Sequence, residues 1–142
     1  MKVKEAMHKG VQWVGPDTPV AEVAKLMCEN DIGAIPVGEN DRLIGMVTDR
    51  DIVVRCIADG KNPNDAKVND VMTKSIRKVQ EDATINEVIG LMKGSEIRRV
   101  PVVDRNDKIV GIVSIGDIAS GGENRGKVGD AIEDISEAAP NN

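Results

Sequence analysis

Residues 45–52, Gly-Met-Val-Thr-Asp-Arg-Asp-Ile, return near the end of the chain as residues 111–118, Gly-Ile-Val-Ser-Ile-Gly-Asp-Ile. Each copy reads as a short apolar strand that runs into a hydroxyl residue, followed three positions later by an acid and then by an apolar residue that could open a helix. Where a strand meets a helix start, free backbone N–H groups and the positive end of the helix dipole point outward. Such junctions favour small phosphorylated ligands.

A duplication covers most of the chain. A shift of 65 residues places Val3 on Val68 and Met7 on Met72, and it aligns five identities between windows 16–27 and 81–92. After a one-residue insertion the shift becomes 66 and aligns the two copies of the motif. We therefore predict two tandem repeats, 1–66 and 67–122, which pack on one another about a pseudo-twofold axis because each is too small to bury its own faces well. We expect the acidic tail, 123–142, to form a short helix or to be disordered.

Composition limits the classes of protein and partner. The chain has 142 residues with 40% hydrophobic content, one Trp and no Phe or Tyr, so one aliphatic core has to hold it together. The net charge of -5 argues against duplex DNA or an anionic membrane surface as the main partner. No apolar run reaches the length of a membrane span and the N-terminus lacks an apolar signal region, so we expect a cytoplasmic protein.

Periodicity predicts an α/β fold in which each repeat has the order β-α-β-β-α. A strand at 11–14 is followed by a helix that Thr18 caps, with Pro19 at its first position and one apolar face containing Val20, Val23, Ala24 and Met27. Further elements of the first repeat are predicted at 32–37, 43–47 and 51–58. Those of the second repeat are predicted at 76–79, 84–92 and 97–113, with a truncated helix at Asp117 that Gly121 and Gly122 end early.

Cysteine and histidine give no metal or catalytic pattern. Cys28 and Cys56 form no CxxC pair, and we interpret both as small buried apolar residues. His8 is the single histidine and stands beside a charged N-terminus, so we expect an exposed side chain and no metal ligand or base.

The motif itself has two interpretations. Thr48 with Asp51, and Ser114 with Asp117, match the capping-box pattern, in which hydroxyl and acid satisfy the first backbone N–H groups of a helix. Capping explains the first copy well, where a full helix follows, and the second copy poorly, where a helix of one turn is predicted. Ligand binding is the other interpretation, and the residues alone leave both open.

The two repeats, with Ile-Pro-Val at 35–37 and Val-Pro-Val at 100–102 before each motif copy, closely resemble a tandem pair of CBS domains. Thr48-Asp49-Arg50-Asp51 and the Arg98-Arg99 pair also resemble small stand-alone bacterial CBS-pair proteins of the hypoxic-response type. The resemblance implies one CBS-pair module whose repeats face each other across a cleft. It further implies a regulatory module that binds AMP, ADP or ATP there, needs no cofactor, forms a homodimer and signals to an effector protein.

The resemblance also implies roles for individual residues. Asp51 and Asp117 would accept hydrogen bonds from ribose hydroxyls, Thr48 and Ser114 would donate to a phosphate, and Arg99, with Arg98 as a weaker candidate, would contact phosphates. The adenine would lie against Val11, Gln12, Trp13, Ala34, Ile35 and Pro36 in the first site. In the second site it would lie against Ile76, Arg77, Lys78, Arg99, Val100 and Pro101. Gly116 loosens the second junction, and we expect one occupied site per chain.

Two further function classes are set against this one. An enzyme is disfavoured, because the chain lacks a nucleophile with its base, a metal constellation and a P-loop. A ligand-independent dimerisation or adaptor module remains an alternative, as does S-adenosylmethionine or NAD in the same cleft.

Overall fold

The computed structural model describes residues 1–95 and 97–120, and the predicted tail at 123–142 and the helix stop at Gly121 and Gly122 lie outside them. Its helices are α1 (Val3–Ala6), α2 (Val20–Asn30), α3 (Asp49–Ile52, continued by a π-helical turn at Val53–Ile57), α4 (Val68–Val71), α5 (Ile85–Ser95) and α6 (Ile115–Ala119). Its strands are β1 (His8–Lys9), β2 (Ala34–Glu39), β3 (Arg42–Thr48), β4 (Val79–Gln80), β5 (Arg99–Val103) and β6 (Ile109–Ser114). None of the helices in the described part is long and apolar enough to cross a membrane.

The chain folds as two compact units. One unit is Gln12–Ile76, and the other joins Met1–Val11 to the chain from Arg77 onward. We call the first residues of each sequence repeat, 1–11 and 67–76, its leading segment, and the duplication aligns these two segments with each other. Segment 67–76 belongs to the Gln12–Ile76 unit, and segment 1–11 belongs to the other unit. The predicted boundary between the sequence repeats lies between residues 66 and 67. The boundaries of the compact units lie about ten residues further along the chain, after Val11 and after Ile76.

The Gln12–Ile76 unit is built on the antiparallel β2–β3 hairpin. Its register pairs Ala34 with Thr48 and Glu39 with Arg42. Asn40 and Asp41 form the turn with φ values of 54° and 66°. Two successive positive φ values match the twist of a two-residue hairpin, and Asn and Asp are the non-glycine residues that best tolerate them.

Helix α2 covers this hairpin with Val20, Val23 and Met27, which belong to the core of the unit. The predicted cap was wrong in detail: Pro19 occupies the N-cap position, the helix begins at Val20, and no side chain caps it. Proline lacks an N–H and its φ of -61° still allows the extended ψ of 140° that a cap requires. Ala24, expected on the apolar face, is exposed.

The other unit contains a four-stranded sheet in the order β1-β6-β5-β4. Strands β5 and β6 are antiparallel, β1 is antiparallel to β6, and β4 runs parallel to β5. Helix α5 and the leading helix α1 contribute Met92 and Val3 to a core that also contains Val100 and Ile118. The strand His8–Lys9 was not predicted from the sequence.

Two strand predictions and one burial prediction were wrong. At 11–14 only Val14 forms a bridge, a parallel one to Val37, and at 76–79 the strand is limited to Val79–Gln80. Gln12 and Trp13 are exposed, so that stretch has no apolar partner surface that would extend it as a strand. Cys28 is exposed on α2, whereas Cys56 is buried as expected, and both are free thiols.

The first glycine of each motif copy is explained by close backbone packing. A Cβ atom added at Gly45 would lie 2.8 Å from the Thr73 carbonyl oxygen, and one added at Gly111 would lie 2.7 Å from the His8 carbonyl oxygen. Real Cβ atoms do not come this close to a backbone oxygen. Glycine is therefore needed at both positions so that the leading segment can lie against the strand that carries the motif, β3 or β6, in its own unit.

Candidate functional site

The first junction lies where β3 ends and α3 begins. Asp51 Oδ2 accepts a hydrogen bond from the Thr48 backbone N–H at 2.9 Å, and the Asp51 N–H donates to Thr48 Oγ1 at 3.1 Å. These reciprocal bonds make a complete capping box. The Thr48 hydroxyl acts only as an acceptor in this box, so its own hydrogen is available for another acceptor.

The second oxygen of Asp51 is placed differently. Asp51 Oδ1 lies 3.9 Å from Arg55 Nη1, beyond hydrogen-bond distance, and Arg55 already donates to the carbonyl oxygens of Val71 and Met72. The Asp51 side chain is 3% exposed. Among the described residues, no fully buried side-chain oxygen or nitrogen lacks a hydrogen-bond partner, so this oxygen keeps contact with solvent. It can still accept a donor from outside.

The second junction lies where β6 ends and α6 begins. Asp117 Oδ2 accepts from the Ser114 N–H at 2.8 Å, and the Asp117 N–H donates to Ser114 Oγ at 3.1 Å. The expectation that capping explains this copy poorly was therefore wrong, since the box is complete although α6 has only five residues. A cap satisfies the first N–H groups of a helix, and a helix of five residues has these groups as well.

His8 is the site residue that the sequence analysis missed. Its side chain is 71% exposed, as expected, but His8 Nε2 lies 2.9 Å from Asp117 Oδ1. The imidazole thus contacts the carboxylate oxygen that the cap does not use. The 65-residue shift aligns His8 with Thr73, but no pattern in the sequence places either residue beside the motif.

The two predicted arginines flank the second junction along the backbone. Arg99 lies opposite Ser114 in the β5–β6 register, and the Arg98 carbonyl oxygen accepts from the Ile115 N–H at 2.9 Å. Both side chains are exposed. Within the part of the chain that the structure describes, neither guanidinium forms a hydrogen bond or an ion pair, so both are available to an anion.

The residues predicted to contact adenine differ in how far their side chains and backbone groups are exposed. Gln12 and Trp13 are exposed, and their backbone groups make no hydrogen bond to other described residues. Ile35 and Val100 are fully buried in the cores of their units, so only their backbone could face a ligand. Other members of this set are buried (Ala34, Pro36, Pro101), half-buried (Val11, Ile76) or exposed (Arg77, Lys78). Lys78 forms an ion pair with Asp107.

Within residues 1–95 and 97–120, no cluster of three or more His, Cys, Asp or Glu side chains is arranged to hold a metal ion.

Comparison with known proteins gives the family. The sequence model of the CBS domain matches residues 3–57 and 68–122. The chain is 42% identical over 117 residues to hypoxic response protein 1 of Mycobacterium tuberculosis, which covers 82% of this chain and 81% of the relative. It is also 41% identical over 138 residues to the Bacillus subtilis protein YlbB, covering 96% of this chain and 92% of the relative.

Solved structures agree with these relatives. The crystal structure of hypoxic response protein I with two coordinated zinc ions matches with a TM-score of 0.77 and 40% identity, covering 84% of this chain and 98% of that one. The CBS domain pair of protein MJ0100, in complex with 5′-methylthioadenosine and S-adenosyl-L-methionine, matches with a TM-score of 0.77 and 26% identity, covering 88% and 98%. The predicted α/β fold with two CBS repeats is confirmed. The chain belongs to the CBS-domain family and carries a CBS pair.

Proposed function

We propose that this CBS pair is a sensor that binds an adenosine-containing ligand, AMP, ADP or ATP, at its strand-to-helix junctions and passes occupancy to an effector protein. The observation that carries the proposal is that only one of the two carboxylate oxygens of each acid is used by the helix cap. Oδ2 of Asp51 and of Asp117 is used by the helix cap, whereas Oδ1 takes no part in the cap: in Asp51 it lies 3.9 Å from Arg55, and in Asp117 it contacts His8. A carboxylate has about four lone-pair positions, so capping and ribose binding are compatible.

The hydroxyls of Thr48 and Ser114 support the phosphate part of the proposal. Each hydroxyl oxygen accepts from the N–H three residues on, and its hydrogen remains free to donate to a phosphate oxygen. Arg98 and Arg99 are exposed and unpaired among the described residues and add positive charge beside Ser114. A guanidinium fits a phosphate in a bidentate geometry, so we assign phosphate binding to these arginines, with Arg99 the stronger candidate.

Recognition of the adenine is assigned mainly to backbone groups. Gln12 and Trp13 offer N–H and C=O groups that make no hydrogen bond to other described residues, and the Trp13 ring is 36% exposed and could stack on a base. The MJ0100 domain pair, which binds 5′-methylthioadenosine and S-adenosyl-L-methionine, supports an adenosine-type ligand in this chain. S-adenosylmethionine and NAD therefore remain candidate ligands.

The homodimer and the cytoplasmic location are also proposals. Val53, Val54 and Ile57 are large apolar side chains exposed on α3 and its π-helical extension, and a second copy of the chain covering them would form the expected homodimer. We place the protein in the cytoplasm, where two free thiols persist. The same apolar face would serve a ligand-independent adaptor, which is the competing function.

Titration calorimetry against AMP, ADP, ATP, S-adenosylmethionine and NAD separates sensor from adaptor. We expect binding of at least one compound and its loss in the double variant Asp51→Ala/Asp117→Ala. The matched control is Glu87→Ala, because Glu87 and Thr84 form a capping box of the same geometry outside the motif, with bonds of 3.1 and 3.2 Å. Absence of binding across the panel would contradict the sensor and favour the adaptor.

A further inference from the structure

We propose that His8 controls the Asp117 junction, admitting a ribose there only when its imidazole leaves the carboxylate; this inference rests on the proposed function. His8 Nε2 lies 2.9 Å from Asp117 Oδ1, the oxygen that the helix cap leaves free. A ribose hydroxyl needs that same oxygen. Imidazole and ribose therefore compete for one acceptor.

The backbone of His8 is held in place while its side chain is not. His8 pairs with Ile112 in the β1–β6 register, and Gly111 allows its carbonyl to approach β6 closely. The imidazole itself is 71% exposed. It can rotate away from Asp117 without breaking a core contact, as a residue that opens and closes a site must.

The first junction lacks such a residue. Thr73, the counterpart of His8, has a hydroxyl 3.4 Å from Arg55 Nη1 and no contact with Asp51. Arg55 is held by two backbone carbonyls and stays 3.9 Å from Asp51 Oδ1. Asp51 Oδ1 therefore has no described side chain within hydrogen-bond distance, whereas Asp117 Oδ1 is occupied by His8, and the two junctions should fill with different affinities.

Asp117 is the only described residue that contacts the His8 side chain as a polar partner. While the imidazole lies on Asp117 Oδ1, it should therefore weaken ligand binding at the second junction and leave the first junction unaffected.

The test measures AMP binding by calorimetry in an Asp51→Asn background, which isolates the Asp117 junction. His8→Ala should raise the affinity by about two- to fivefold, the range expected for a partly exposed polar pair. His8→Gln keeps an N–H donor, so it should keep the lower affinity, and the control Lys9→Ala should keep it as well.

A second measurement reads the contact directly. Because the chain has one histidine, its imidazole gives a single Hε1 signal in the NMR spectrum. AMP should shift that signal in the Asp51→Asn protein and leave it unchanged when Asp117→Asn is added. AMP binding that His8→Ala leaves unchanged in strength overturns this inference alone. Failure of the wild-type protein to bind any adenosine compound overturns the proposed function as well.

Discussion

Two acids at the same position of the duplicated motif, Asp51 and Asp117, face different side chains. Asp51 is 3% exposed and lies 3.9 Å from Arg55, one helical turn further along its own helix. Asp117 is 16% exposed and contacts His8 of the leading segment at 2.9 Å. The cap bonds are nearly identical, so duplication has preserved the backbone geometry while the surroundings of the second oxygen have diverged.

Charge around the two junctions has diverged as well. Asp49 follows Thr48, and its carboxylate lies so near Gly33 that an added Cβ would be 3.0 Å from Oδ2. At the corresponding positions the second unit has Ile115 and Arg98. The first junction therefore carries an acid, Asp49, that the second lacks, and the second carries a base, Arg98, that the first lacks; this difference favours the second as the proposed phosphate site.

A third capping box, which lies outside the motif, shows that a capping box alone does not indicate a ligand site. Thr84 and Glu87 form the same reciprocal bonds at the start of α5. That pair follows a turn and not a strand of a hairpin, and no glycine-containing strand precedes it. What distinguishes the two candidate sites is the glycine-to-acid motif as a whole, in which the glycine fixes the leading segment and the acid fixes the helix start.

The largest expected effect comes from the motif glycines. Gly45→Ala and Gly111→Ala should each lower the free energy of unfolding by about 1–3 kcal/mol, because the new methyl group would collide with the Thr73 or His8 carbonyl oxygen. Chemical denaturation measures both. Gly90→Ala is the control, since nothing lies within 4 Å of its added Cβ; on α5 it should raise stability by about 0.5–1 kcal/mol. If all three variants are stabilised, the packing account is wrong.

A smaller effect separates the two caps. Thr48→Ala should cost about 1 kcal/mol of unfolding free energy, and Ser114→Ala should cost less, because Thr48 supports a helix that continues to Ile57 whereas α6 ends at Ala119. Thr84→Ala should show a comparable cost and confirm that the assay detects a lost cap. A larger cost at Ser114 than at Thr48 would reverse the comparison.

The duplication made the fold predictable, because paired identities fix the order of elements even where each is short. Strand edges were less predictable: 11–14 carries apolar residues but makes one bridge, since pairing depends on partners far along the chain. The reciprocal caps follow from local spacing, and the sequence shows the pattern at both junctions, although the cap at Ser114 was expected to explain its copy poorly. The His8 contact joins residues more than a hundred positions apart and required the three-dimensional register of β1 on β6.

The central claim is that one carboxylate serves both helix and ligand through different oxygens. AMP binding to the double variant Asp51→Asn/Asp117→Asn tests it most directly, because an asparagine oxygen can still accept the cap bond while the charge for the ribose diol is gone. The account predicts a thermal midpoint close to that of the wild-type protein with affinity reduced by about tenfold or more, the range expected for hydrogen bonds to a charged group. Wild-type affinity in that variant would contradict the account.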